Sequence, residues 1–258
     1  MSYGICNLSI VPGRAEPSDR AELVTQVLFG EEFEIVDENS RWFHIVLMAD
    51  SYDCWVDKKQ VLLMERPANQ ESQSAFVSSL DGIARDMKGD ETRIPLGSVL
   101  PQYEDGSFLI AGTEYSFTGD VILSSETTTD ELQTLADKLL NVPYLWGGRT
   151  SYGIDCSGFT QTIFRLAGIA LPRDSGDQAI MGEEIEHLEE TQNSDLAFFE
   201  NKKSKIMHVG IIRLDEENNR HIIHASGKVR VDVLDDKGIY DVETDTYTHN
   251  ISHISRYF

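Results

Sequence analysis

Cysteine, positive charge and long apolar stretches are all scarce in this chain. Its 258 residues include 3 cysteines, Cys6, Cys54 and Cys156. An odd set so far apart argues against a disulfide framework and fits a reducing compartment. Lys and Arg total 22 against 44 Asp and Glu, a formal net charge of -22. Such an acidic surface repels phosphate backbones, so neither nucleic-acid binding nor adhesion to anionic membranes is expected. No run approaches the roughly eighteen apolar residues of a membrane span. The start has no basic segment followed by an apolar one, so no secretory signal is expected and the expected location is the cytoplasm. No P-loop or dinucleotide-binding glycine motif is present, and no cofactor is expected.

What remains is a globular composition, with 40% hydrophobic, 9% aromatic and 26% charged residues. At this length a core can be buried without covalent or metal staples. The first part reads as β. An apolar run covers residues 5–11, Gly30 marks a turn, and Trp42 to Leu47 alternate faces ahead of a polar turn and Cys54 to Val56. Short strands at this spacing predict a small barrel over residues 1–65. Residues 65–80 are polar and read as a connection. A second β pattern, punctuated by turns at residues 104–106 and 118–120, predicts another small barrel over 66–125.

Near residue 126 the pattern becomes helical. Thr128 with Glu131 forms a capping box, and Leu132, Leu135, Ala136 and Leu139 share a face until Asn141 and Pro143 end the helix. A second helix opens at Asp155, carries Phe159, Ile163, Leu166 and Ala167 on one stripe, and is capped at Gly168. Strand-like runs follow at Leu196–Phe199, His208–Leu214 and His221–Ala225. Helix first and antiparallel strands after is an α+β layout for residues 126–258. The acidic loop around 183–190 reads as a solvated face.

Cys156 stands out by its position. With Asp155 as N-cap it is the first helical residue, where the helix dipole and unpaired N–H groups are expected to lower a thiol pKa. Cys6 and Cys54 sit in apolar runs and read as small buried hydrophobes. His208 and His224 can supply a base and a group that orients it. His221, three residues from His224 on a strand, points to the other face and is expected to be exposed. No close-spaced ligand pair supports zinc or another metal. Arg149 and Arg173 are cations near the nucleophile segment. Either forms an ordinary surface ion pair or pairs with a carboxylate of the substrate.

Tyr144 to Gly148 followed by Asp155-Cys156-Ser157-Gly158-Phe159 resembles the nucleophile segment of the NlpC/P60 cell-wall peptidases. Leu171 to Ser175 with Gln178 resembles their next motif. Ser194 to Phe199 is similar to a third, with Ser194 standing where the family has glycine. His208-Val209-Gly210-Ile211 and His224-Ala225-Ser226-Gly227 complete the order. Pro12 to Arg14, Ala21 to Gln26, Phe29 to Glu31 and Tyr52 to Val56 resemble the bacterial SH3 domain of one subgroup, the γ-D-glutamyl-L-diamino acid endopeptidases of muropeptide recycling. The resemblance implies a papain-like domain preceded by two SH3-like barrels.

It also implies hydrolysis of the bond between γ-D-Glu and a diamino acid, in a murein peptide that begins with free L-Ala. Cys156 would be the nucleophile, His208 the base and His224 its orienter, with Tyr144 beside the oxyanion. Asp155, Ser157, Asp174 and Ser175 would line the substrate cleft, and Glu22 and Tyr52 would meet the substrate amine. Two other readings compete. A non-catalytic wall-peptide binder on this fold would not need the intact Cys/His/His set. An acyl-transfer thiol enzyme would need an acyl channel or a basic amphipathic surface, which the charge disfavours.

Overall fold

The structure, a computed structural model, describes residues 2–65, 74–123 and 128–258. The expected domain boundaries at 65/66 and 125/126 abut or fall in stretches outside the described residues. By contacts the chain divides into two compact units. One is Met1–Glu126 with Trp146–Ser151, the other Thr127–Leu145 with Tyr152–Phe258.

The first unit begins with a sheet of seven strands: β1 (Ser2–Ile5), β2 (Ile10–Arg14), β3 (Leu23–Leu28), β4 (Glu32–Glu38), β5 (Trp42–Leu47), β6 (Asp53–Asp57) and β7 (Leu62–Met64). The apolar run at 5–11 is not one strand. The chain turns a corner after Ile5, where the Cys6 N–H donates to the Glu31 carbonyl at 3.0 Å. Cys6 and Cys54 lie in the core of this sheet with Val11, Val27, Phe33 and Ile45. That is where small apolar side chains belong, and burial raises both thiols.

A second β module follows, with β8 (Ala75–Val77), β9 (Asp81–Asp86), β10 (Glu91–Pro95), β11 (Val99–Leu100), β12 (Ser107–Ile110), β13 (Thr113–Thr118) and β14 (Val121–Ile122). Its core takes in Ile5 and Phe29 from the first sheet, and Phe29 meets Phe108 edge-to-face at 5.8 Å. The two modules therefore share one apolar interior. Gly30 makes the approach possible. Its φ is +78°, and a Cβ there would lie 2.0 Å from the Val99 carbonyl oxygen. The short β15 (Arg149–Thr150) also belongs to this unit.

The second unit opens with α1 (Thr129–Lys138), whose capping box joins Thr128 and Glu131 as the sequence predicts. Leu132, Leu135, Ala136 and Leu139 are buried, and Asn141 ends the segment in a left-handed conformation. After β16 (Gly153–Ile154) come α2 (Cys156–Leu166) and α3 (Ser175–Gln178). The rest is β: β17 (Glu183–Ile185), β18 (Leu196–Glu200), β19 (Ile206–Leu214), β20 (Arg220–Ser226), β21 (Lys228–Asp235), β22 (Gly238–Asp241) and β23 (Thr246–Arg256).

Neighbouring strands from β18 to β23 pair in sequence, and β23 also pairs with β22 and β18, so these six close on themselves. Ala197, Phe199, Ile212, Ile222, Leu234, Ile239 and Ile254 fill one face. The sequence reading finds β18 to β20 and misses β21 to β23. The acidic segment expected as a solvated loop contains β17, which pairs with the end of β23 and turns Ile185 toward this core. Glu183 and Glu184 remain exposed.

Candidate active site

The site is built where α2 begins. The Asp155 Oδ1 accepts the Gly158 N–H at 2.7 Å, which caps the helix. Phe159, Ile163, Phe164 and Leu166 then anchor its apolar stripe in the core. Gln178 fixes the first turn from outside. Its amide donates to the carbonyls of Ser157 at 3.1 Å and Pro172 at 2.8 Å, and its oxygen accepts from Thr160 Oγ1 at 2.7 Å. The Cys156 sulfur is therefore presented by a helix start that cannot shift without breaking these bonds.

Cys156 is only 7% exposed. Burial pushes its thiol up to about 12, and the Asp155 carboxylate adds to the shift. The N–H groups of Val209 and Ser157 and the Arg173 guanidinium pull the other way and do not overcome it. The expectation of a thiol pKa lowered by the helix start is corrected here. Loss of hydration outweighs the dipole when the sulfur is this deep. The Val209 contact also sets the thiol against β19, at the residue next to His208.

β19 and β20 bring the two histidines together. His208 Nε2 and His224 Nδ1 are 2.7 Å apart, and both rings are buried. Gly210, on the same face as His208, permits this. A Cβ there would fall 2.8 Å from the His224 Cβ and 2.7 Å from the Ile222 side chain. His224 Nε2 in turn meets Asp232 Oδ2 at 2.9 Å. The ring of His249, from β23, stacks on His208 with centroids 4.2 Å apart. Burial, then the neighbouring His224 and His249, hold His208 well below 6.5. Burial likewise takes His249 down to about 4. At neutral pH the thiol and the imidazole of His208 are thus both uncharged. Asp232 and His249 are absent from the sequence reading. His221 is half-buried and meets Asp215 at 3.3 Å, apart from this cluster.

Tyr144 is partly buried. Burial, followed by the nearness of Cys156 and Asp155, raises its phenol to about 12, so it stays a hydrogen-bond donor. Asp155 and Ser157 are buried and turned to Arg173, whose Nη1 reaches Asp155 Oδ1 and Ser157 Oγ at 3.0 Å each and whose Nη2 reaches Asp155 Oδ2 at 2.5 Å. Asp174 is exposed at the start of α3, with Ser175 beside it. Glu22 and Tyr52 belong to the first unit. Glu22 is exposed just before β3, and Tyr52 packs against the first core ahead of β6.

Neither arginine forms the expected surface ion pair, because both are buried and hold carboxylates of the chain itself. Arg173 is 2% exposed and committed to Asp155. Arg149 is 1% exposed and grips both oxygens of Glu31 at 3.0 Å, with the Gln26 carbonyl at 2.9 Å. Desolvated guanidinium groups need fixed acceptors, and the protein supplies them.

Comparison with known proteins identifies the family. A profile of the NlpC/P60 family matches residues 141–248, and one of the bacterial dipeptidyl-peptidase Sh3 domain matches residues 13–61. The chain is 32% identical over 204 residues to a γ-D-glutamyl-L-lysine dipeptidyl-peptidase of Bacillus subtilis (strain 168), covering 72% of this chain and 68% of that one. It is 28% identical over 247 residues to a protein of the same name from Bacillus cereus, covering 84% and 72%. The crystal structure of an NlpC/P60 family protein from Bacillus cereus has the same fold, with a TM-score of 0.80 at 21% identity over 99% of both chains. With the cysteine, the two histidines and the matching stretches in one order along the sequence, the chain belongs to the NlpC/P60 family of cysteine peptidases.

Proposed function

We propose that this peptidase hydrolyses the bond between γ-D-Glu and a diamino acid in murein peptides that begin with free L-Ala, as in muropeptide recycling. Support comes first from one arrangement, a buried thiol at a helix start beside β19 with His208, His224 and Asp232 in hydrogen-bonded series. The names of the two Bacillus relatives add the γ-D-glutamyl bond and point to L-lysine as the first diamino acid to try.

In this reading His208 takes the thiol proton as the Cys156 sulfur attacks the γ-carbonyl carbon of D-Glu. The developing oxyanion is met by the Cys156 backbone N–H and the Tyr144 hydroxyl. The intermediate collapses to a thioester, and His208 returns the proton to the departing amine of the diamino acid. Water, deprotonated by the same imidazole, then releases the acid and restores the thiol. A general base suits a thiol that keeps its proton at rest.

Glu22 and Tyr52 lie in the stretch that matches the dipeptidyl-peptidase Sh3 profile. This supports assigning these two to recognition of the substrate's cationic amine; Asp174 and Ser175 lie in the stretch that matches the NlpC/P60 profile and are assigned to the peptide on that resemblance. A peptide whose alanine is acylated lacks that charge and gives Glu22 no cation to meet. Digestion of L-Ala-γ-D-Glu-L-Lys beside its N-acetyl form tests this. The free peptide should yield L-Ala-γ-D-Glu at least tenfold faster. Equal rates would refute the amine-recognition reading.

A further inference from the structure

The catalytic histidines are followed by more fixed charge than a nucleophile, a base and an orienter require. On β21, Asp232 and Arg230 share the face that pairs with Ile222 and His224 of β20. Asp232 Oδ2 lies 2.9 Å from His224 Nε2. Its other oxygen, Oδ1, accepts from Arg230 Nη2 at 2.7 Å. The same Arg230 nitrogen is 3.1 Å from Asp241 Oδ1 on β22, so a second carboxylate holds the guanidinium in place.

These contacts determine where the ring protons lie. A carboxylate accepts and never donates, so His224 must carry its proton on Nε2. With each ring taken to hold a single proton, His224 then offers a bare Nδ1. His208 Nε2, 2.7 Å away, must be the donor to it. The lone pair of neutral His208 is thereby placed on Nδ1, the remaining ring nitrogen. We propose that Asp232, oriented by Arg230, is a positioning residue that sets the tautomers of both histidines, and so makes Nδ1 of His208 the base that receives the Cys156 proton.

The proposal rests on His208 acting as base, and it makes an unusual demand of an isosteric change. In Asp232→Asn the amide must choose which end meets which neighbour. Turning its NH₂ toward Arg230 would set donors against a cation. The amide oxygen therefore stays with Arg230, and the NH₂ donates to His224 Nε2. His224 must then hold its proton on Nδ1 and donate to His208 Nε2. That leaves His208 with N–H, not a lone pair, on Nδ1. The base is lost while the shape of the site is kept, and an inverted tautomer in a catalytic triad can cost on the order of 10⁴-fold in rate.

Imidazole ¹⁵N NMR at neutral pH and turnover of L-Ala-γ-D-Glu-L-Lys test it together in the full chain. Wild type should show pyridine-type Nδ1 in both rings. Asp232→Asn should show protonated Nδ1 in both, with kcat down by roughly a hundredfold or more and KM little changed. In Arg230→Met/Asp232→Asn the amide is free to turn its oxygen to His224. The wild-type tautomers should return and kcat should recover at least tenfold over Asp232→Asn. Unchanged tautomers in Asp232→Asn, or a double variant no faster than the single one, would overturn the proposal. Inverted tautomers with undiminished kcat would uphold the tautomer assignment and remove His208 from its role as base.

Discussion

At Cys156 the unfilled N–H groups of a helix start and the loss of water act in opposite directions on the same sulfur. The helix start was legible from Asp155 and the apolar stripe that follows. The depth of the residue was not, because the elements that cover it come from residues far along the chain. With its pKa pushed up to about 12, the thiol should react with iodoacetamide slowly at pH 7, and its rate should climb on past pH 9. Alkylation followed by peptide mass mapping reads this directly, and a rate already at its plateau by pH 7 would contradict it. On the acid side, burial keeps His208 neutral below 6.5. The acid limb of kcat/KM should therefore fall below pH 6.5. Folding should weaken over the same range, because the unfolded chain binds a proton there that the buried ring refuses.

The elements that carry the site differ in how plainly the sequence announces them. Capping residues and a 3.6-residue stripe reveal α1 and α2, and the apolar runs reveal β18 to β20. β21 misleads. Val229, Val231 and Val233 alternate with Arg230, Asp232 and Leu234, so the valines look like the inward row. Asp232 nonetheless lies with Leu234 and Ile222 on the face of the histidines, whereas Val231 is exposed. A carboxylate between valines reads as solvent-facing unless its buried partner is known, and that partner, His224, is reached only by strand pairing. β23, polar along most of its length and the source of His249, was missed for the same reason. Gly210 is the element-scale test. In Gly210→Ala the new methyl must displace Ile222 or push β20 and His224 outward. A loss of about 1–3 kcal/mol in unfolding free energy is expected from the crowding, with kcat down at least tenfold. Chemical denaturation and turnover measure the two, and wild-type values for both would show that the close approach is dispensable.

Across the whole molecule acidic residues outnumber basic ones two to one, 44 against 22. Two of the basic residues, Arg149 and Arg173, lie within the protein on Glu31 and Asp155. The sequence placed them near the nucleophile but could not reveal the carboxylates they grip, which for Arg149 lies more than a hundred residues earlier. Removing one member of such a pair strands the other, so Arg149→Ala should cost about 3–5 kcal/mol in unfolding free energy, and a loss below about 1 kcal/mol would show that the pair is not needed for stability. In the proposed reaction, activity rests on the third of the three cysteines, Cys156. The most direct measurement is release of lysine from L-Ala-γ-D-Glu-L-Lys by Cys156→Ala, with Cys6→Ala assayed beside it as a folding and handling control. Hydrolysis should vanish in Cys156→Ala and persist in Cys6→Ala. Hydrolysis that survives loss of Cys156 would contradict the account.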